Sequence, residues 1–477
     1  MINNFEVIIG IEVHVVLNTK TKMFSSAANS HHGLSNTLVN EIDLGLPGIL
    51  PQPNKEAIKK GIWLSKALGA TINYQKIQFD RKNYFYVDLP KGYQITQQYH
   101  PIGQNGFIEI NTPNGTKKII IQRLHLEEDT AKQNSKDNLI YLDYNRSGCP
   151  LIEIVTDPVI NSGYEASEYL KKLIQTLKFN DISDAKLEDG SLRADVNISL
   201  RPYGQKEFNN KVEIKNINSI NNVTKAIDFE IERQGNILLN GGVVEQETRR
   251  FDDSNNTTVH MRTKTDAINY RYFHEANIIS IKITDEEFAN ILKEKNKDIP
   301  EIITELKSFD LNDSNIDQLL NNYEMYKVFS KLYSLTKLAN TSFNWLSVEI
   351  TPLLKKDNQD FNFLSDQKIE QIAKMIQLIE EQEINGKQAK VIVQEIYSTD
   401  NTVETIINEK GFKQIKDVGF LTTLIKKHID ENPKMISQYS ENAQRVEKFL
   451  VGLVMKDTKA QANPKITMDI IIKLLNK

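Results

Sequence analysis

Val7-Ile8-Ile9-Gly10-Ile11-Glu12-Val13-His14-Val15-Val16-Leu17 alternates apolar and polar positions through its centre. Strand side chains point to opposite faces in turn. Ile9, Ile11, Val13 and Val15 therefore predict a core face, and Glu12 and His14 share the other, about 7 Å apart. An acid and an imidazole so placed can both reach one cation, but a plain solvated strand face shows the same pattern. The period recurs at 118–126, 194–200 and 211–217. Pro113-Asn114-Gly115 predicts a hairpin turn between 107–111 and 117–121. Helical spacing is seen at 55–68 and 166–177. Strands joined by hairpins, with few helices between them, predict an α+β domain with a large antiparallel sheet.

From about Thr284 the pattern turns helical. Ile369, Ile372, Ile376 and Ile379 predict one helix, with Asn385-Gly386 as its stop. Val446, Phe449, Leu450 and Leu453 predict another, and Ile470, Ile471, Leu474 and Leu475 a third. These stripes read as core. The expected plan is a catalytic domain over 1–293, a helical domain over 294–405 and a helical tail over 406–477.

At 477 residues, 39% hydrophobic and 26% charged, the chain is long enough for two to four domains at ~100–200 residues each and is not globally disordered. It holds no apolar run of membrane-spanning length, and its first residues lack the basic and apolar regions of a signal peptide. The single cysteine, Cys149, excludes an internal disulfide, a four-thiolate zinc site and a CxxC pair. A reducing, cytoplasmic location is expected. Net charge is −4, yet residues 406–477 hold 13 basic and 8 acidic residues, a net of +5. Such a tail can meet a phosphate backbone, although a chance fluctuation gives the same count.

Further polar groups fall on the sheet. Arg123-Leu124-His125-Leu126-Glu127-Glu128-Asp129 ends a strand with three acids, which repel one another unless solvated or neutralised. Hard oxygen donors suit Mg²⁺; zinc is less suited without thiolates, though His14 and His125 leave it open. Arg193, Asp195, Asn197 and Ser199 share one face of the next strand, and Glu213 and Lys215 one face of another. Gln246-Glu247-Thr248-Arg249-Arg250 adds a basic pair. Neither a P-loop nor a GxGxxG is present. A nucleotide would have to bind on an open sheet face through metal and basic side chains, as phosphoryl transfer requires. Cys149 precedes Pro150 with no evident base, so a cysteine glutaminase is unsupported; the SxxK matches at Ser183, Ser334 and Ser365 lack companion motifs.

These residues sit in stretches that resemble the GatB family, the B subunits of aspartyl/glutamyl-tRNA amidotransferases. They include GIEVHVVLNTKTKMFS (10–25), FDRKNYFYVDLPKGYQITQ (79–97), RLHLEEDTAK (123–132), DYNRSGCPLIEIVTDP (143–158), EDGSLRADVNISLRPYG (188–204), VEIKNINSI (212–220), QETRRFD (246–252) and FLVGLVMKDTKAQANP (449–464). The resemblance implies a glutamine-synthetase-like catalytic domain followed by all-α domains, the last YqeY-like. It implies ATP- and Mg²⁺-dependent phosphorylation of the side-chain carboxylate of Glu-tRNA(Gln) or Asp-tRNA(Asn), with GatA supplying ammonia and GatC completing a heterotrimer. By this likeness Glu12, His14, Glu127 and Glu128 are metal-ligand candidates. Asp195, Asn197, Lys82 and Tyr84 are candidates to hold the nucleotide or a second cation. Arg193, Lys215 and Arg249 are candidates for phosphate contacts.

The chain also departs from the family pattern. Where many relatives carry zinc-binding cysteines it has Ser25, Ala27, Asn40 and Asp43, so no zinc is expected. Ala131 replaces a glycine beside the acidic run, and His274, Ala276 and Asn277 replace two prolines and an aspartate. Two rivals stand beside the amidotransferase reading. A free-standing ligase for a small amino acid would not need the basic tail, and a tRNA scaffold with a dead site would not need the acids.

Overall fold

The computed structural model describes residues 4–30, 33–263, 269–412, 415, 417–440, 442–458 and 461–476. Lys459 and Ala460 of the tail motif lie outside the described residues. The chain forms two compact units, Met1–Ile302 and Ile303–Lys477.

The first unit runs β1 (Phe5–Val16), α1 (Lys55–Ala67), β2 (Thr71–Ile72), β3 (Asp80–Asn83), β4 (Tyr93–Thr96), β5 (Gly103–Thr112), β6 (Gly115–Glu128), β7 (Lys132–Lys136), β8 (Leu139–Asp143) and β9 (Pro150–Thr156). It continues through α2 (Gly163–Phe179), β10 (Leu192–Pro202), β11 (Val212–Lys215), α3 (Ile220–Leu239), β12 (Glu247–Asp252), β13 (Thr257–Thr263) and β14 (Phe273–His274). Nine strands form one sheet in the order β13-β12-β11-β10-β1-β9-β6-β5-β2.

The alternation read from the sequence sets the faces of this sheet. Ile9, Ile11, Val13 and Val15 of β1 and Ala194, Val196 and Ile198 of β10 are buried, in one core with Ile58 and Ile62 of α1, Leu170 and Leu173 of α2 and Val223 and Ile227 of α3. Each such aliphatic side chain contributes roughly 1.5–3 kcal/mol on burial, so a one-residue slip of β1, which would expose four of them, is heavily disfavoured. The expected hairpin forms between β5 and β6, where Thr112 pairs with Gly115. Gly115 there takes φ +112°, open to glycine and strained for other residues.

The sheet departs from the antiparallel expectation at one pair: β11 and β12 run parallel. The helix α3 between them is the reason, since parallel neighbours need a crossover connection. Its Ser219 cap accepts from the Asn222 N–H. A small sheet, β14-β3-β4, carries residues of the 79–97 block.

The loop between β1 and α1 closes without thiolates. Lys22 and Asp43 are both buried, with Lys22 Nζ 3.1 Å from Asp43 Oδ2. Ser25 Oγ donates to Asp43 Oδ1 at 2.8 Å, and the Asn40 N–H donates to Oδ2 at 2.9 Å. Three of the four positions that replace cysteines thus form one hydrogen-bonded knot. Ala131, fully buried, is not among the left-handed residues, so the missing glycine imposes no such strain there.

The second unit is helical. Ile369, Ile372 and Ile376 are buried in the helix Asp366–Glu380. Asn385-Gly386 does not stop that helix. Asn385 caps the next one, Gly386–Ser398, accepting from the Gln388 N–H while Gln388 Oε1 accepts from the Asn385 N–H. Leu421, Ile425, Val446, Leu450, Val454 and Ile471 form a further core cluster. Among the described residues no helix is long and apolar enough to cross a membrane.

Candidate functional site

The register brings polar side chains from five strands onto the sheet face opposite α1, α2 and α3. His14 on β1 lies across from Arg193 on β10 and Glu153 on β9, and Glu153 in turn lies across from His125 on β6. His14 Nε2 is 3.4 Å from Glu153 Oε2 and 3.8 Å from Glu127 Oε1. His125 Nε2 is 3.0 Å from Glu153 Oε2 and 3.5 Å from Glu127 Oε2. His14, Glu127 and Glu153 each offer a donor atom within 4.8 Å of the others.

Two forces compete at these groups. Burial works against charged imidazoles, yet the Glu153 and Glu127 carboxylates outweigh it and lift His14 and His125 to about 9. Glu153, despite the burial that opposes its charge, is held well below the usual carboxylate range by the same two histidines. Glu12 goes the other way: burial, then repulsion from Glu153, raise it. The group is therefore held together by histidine protons, which a divalent cation can displace.

Cations flank the group. Lys215 Nζ lies 2.6 Å from Asp195 Oδ2 and 3.3 Å from Glu213 Oε1. Arg193 donates to Asp129 Oδ2 at 2.8 Å. Asn197 Nδ2 donates to Glu12 Oε1 at 3.0 Å. Lys82 lies 4.9 Å from the Tyr270 ring centre and 5.7 Å from that of Tyr84. Burial opposes its charge, but Glu127 and Glu153 raise its pKa. Burial and Glu127 likewise push the Tyr84 phenol far up. Both residues thus share the field of the acidic group.

Two of the sequence candidates are not brought to it. Glu128 follows Glu127 on the same strand and so points to the other face. Its carboxylate is bound by Lys91 Nζ at 2.6 Å and by the Ile95 N–H at 2.9 Å. Arg249 is turned away as well. It donates to Thr258 Oγ1 at 2.7 Å and Glu247 Oε1 at 3.0 Å, and lies 3.2 Å from Glu230 of α3. A register irregularity between Thr248 and Arg249 accompanies this turn. Arg250, opposite Lys215, is exposed.

Glu153 is the residue sequence reasoning missed. A lone acid inside the apolar run Leu151-Ile152-Glu153-Ile154-Val155 was the available signal. Cys149 is fully buried and its thiol is pushed up to about 12 by burial, so it is no nucleophile.

The site fits a cation and an anionic ligand on its own chemistry. Two carboxylates and an imidazole converge on one point, and among the described residues the buried Nε atoms of Arg123 and Arg193 have no hydrogen-bond partner. A cavity of about 260 Å³ lies at the Glu12 end, lined by Gly10, Thr156, Asn197, Phe208 and Lys211 among others. A second, of about 480 Å³, lies at the Arg193 end beside Glu188, Asp195 and Asn216.

A family model described as the GatB/GatE catalytic domain matches residues 7–289, and one described as a GatB domain matches residues 327–475. The B subunit of the aspartyl/glutamyl-tRNA(Asn/Gln) amidotransferase of Ureaplasma urealyticum is 52% identical over 475 residues, covering 99% of this chain and 100% of the relative. The protein of the same name in Malacoplasma penetrans is 48% identical over 477 residues (100% and 98%). That of Mycoplasma pneumoniae is 44% identical over 480 residues (99% and 98%).

Proposed function

This chain belongs to the GatB/GatE family, and from that premise we propose that it is the B component of an aspartyl/glutamyl-tRNA(Asn/Gln) amidotransferase, a ligase that forms a carbon–nitrogen bond. It uses ATP to phosphorylate the side-chain carboxylate of Glu-tRNA(Gln) or Asp-tRNA(Asn). Ammonia from a GatA amidase then displaces the phosphate, within a cytoplasmic heterotrimer that includes GatC.

The observation that supports this most is the convergence of His14, Glu127 and Glu153 on the sheet face away from the helices, with cavities at Glu12 and at Arg193 on the neighbouring strands. These three are the proposed Mg²⁺ ligands, with Glu12 beside them. The cation supplies neutralisation of charge on the transferred phosphoryl group. The chain's own groups do the rest. The Phe208 and Lys211 cavity suits a nucleoside and its phosphates, with Asn197 holding Glu12 in place beside it. Arg193 and Lys215 lie over the face where negative charge develops, each oriented by an acid, Asp129 and Asp195. Such fixed cations need no reorganisation during the reaction. Lys82 adds a further charge from the β3 side. No covalent enzyme intermediate is required, which agrees with the inert Cys149. The glutamine-synthetase-like description of this sheet, and a separate YqeY-like tail at 406–477 that contacts tRNA through its net positive charge, belong to the same proposal.

Phosphate release by the heterotrimer with Mg²⁺ and ATP tests it. Release that requires mischarged Glu-tRNA(Gln) or Asp-tRNA(Asn) is expected. Turnover with free glutamate alone would point to a small-molecule ligase. Bound tRNA without turnover would leave only a scaffold.

A further inference from the structure

A row of aromatic rings leads from the acidic group to the surface. Tyr86 and Tyr84 have ring centres 5.7 Å apart, Tyr84 and Tyr270 are 5.8 Å apart, and Tyr270 and Tyr272 are 5.8 Å apart, all edge-on. The inner end shares the field of Glu127, which acts on Tyr84 and on Tyr272. The outer end is open: Tyr86 is 50% exposed and Phe85 91%. With Val87, 57% exposed, they make three consecutive exposed apolar side chains, and grouped rather than scattered apolar exposure marks a surface where something binds.

The row is fixed rather than loose. Asn83 on β3 donates to the segment that carries Tyr270 from its N–H to Tyr270 O at 3.0 Å and from Nδ2 to Arg271 O at 2.8 Å and Tyr270 O at 3.4 Å. The Phe85 ring lies over Gly92, where a β-carbon would meet it at 3.1 Å. Cations accompany the rings. Lys82 sits over Tyr270, Arg262 donates to the Tyr86 hydroxyl at 3.1 Å, and Arg271 is exposed.

Rings that offer faces, interleaved with cations that offer charge, suit a single-stranded nucleic acid. Bases stack without regard to sequence, and phosphates pair with Lys and Arg. The proposed substrate carries such a strand: the unpaired 3′ end of a tRNA, whose last ribose bears the amino acid. We infer that Phe85, Tyr86, Tyr84 and Tyr270, with Lys82 and Arg262, form the platform on which this 3′ end stacks as it delivers the aminoacyl group to the acidic face. The inference rests on the functional reading above and adds residues that position the substrate. A free amino acid would need no such wall.

The test uses the assembled heterotrimer and a Phe85→Ala/Tyr86→Ala variant. Both side chains are exposed, so the fold should persist. The KM for Glu-tRNA(Gln) should rise roughly tenfold or more, as loss of stacked bases does, with the KM for ATP unchanged. Uncharged tRNA trimmed of its unpaired 3′ nucleotides should bind the variant and the wild type alike, whereas intact tRNA should separate them. Tyr86→Phe, which keeps the ring and loses only the hydroxyl that Arg262 contacts, should restore most of the affinity that Tyr86→Ala loses. An equal loss on trimmed tRNA, a parallel rise in the KM for ATP, or a heterotrimer that falls apart on gel filtration would overturn the inference; the last would give this surface to another chain of the complex. Failure of the functional reading is distinguishable, because then the wild-type complex itself would lack tRNA-dependent phosphate release.

Discussion

The two faces of the large sheet each carry a cluster of ionised side chains, built on opposite principles. On the helix-covered side, Glu230 is fully buried and is bound by Arg233 at 2.9 Å through both carboxylate oxygens, by Gln234 at 3.0 Å and by Arg249 at 3.2 Å. Arg233 and Arg249 also hold Glu247. Arginine stays charged at any working pH, so Glu230 is permanently satisfied, and Glu247 keeps its two arginines even when its further partner His260, at 2.6 Å, loses its proton. On the open side, Glu127 and Glu153 are balanced by His14 and His125, whose protons can leave. Permanent balance makes a structural clamp. Removable balance suits the cation site proposed above.

The largest effect should come from the open cluster. Glu153→Gln and Glu127→Gln in the heterotrimer should each lower the thermal midpoint below about pH 9, where the paired histidines are charged, and should lower tRNA-dependent phosphate release per folded molecule by about a hundredfold or more. A loss of stability with release per folded molecule unchanged would erase the contrast. Arg249→Ala should lose stability alone. It leaves Glu230 short of a partner and should cost about 2 kcal/mol of stability, less than a fully unpaired buried acid because Arg233 remains, while turnover per folded molecule holds. A selective loss of turnover would return Arg249 to the catalytic face.

A smaller effect separates the clusters by pH. His14 and His125 rise from 6.5 to about 9 on folding. A raised folded-state pKa gives stability that is complete below the unfolded value and lost as pH climbs through the folded one. The cation-free protein should therefore lose stability between about pH 6.5 and 9, and Mg²⁺ should bind more tightly across the same window as the competing protons leave. Denaturation midpoints in chelator and in Mg²⁺ check both. A flat profile would mean that the histidines are not charged partners of the two acids.

Much of this was legible in the chain. The alternation in β1 and β10 decided which residues face the core, and Glu12 and His14 fell on the right side for the same reason. Alternation also bears on the acidic run. Glu127 and Glu128 are neighbours on one strand and cannot share a face, so Glu128 goes to Lys91. Glu153 was hidden because its partners come from two other strands, and only the β1–β9 and β9–β6 registers bring them together. Arg249 was misplaced because a register irregularity next to it and a helix acid 19 positions earlier decide its direction. The parallel β11–β12 pair was missed along with the helix α3 that creates it.

The most direct test of the central claim is Mn²⁺ binding to the heterotrimer, followed by electron paramagnetic resonance in wild type, Glu153→Gln and Glu128→Gln. The two acids differ in which face they occupy and how they are balanced. Loss of the bound-Mn²⁺ signal in Glu153→Gln, with near wild-type binding in Glu128→Gln, is the predicted result. Binding that survives Glu153→Gln and disappears in Glu128→Gln would contradict the account.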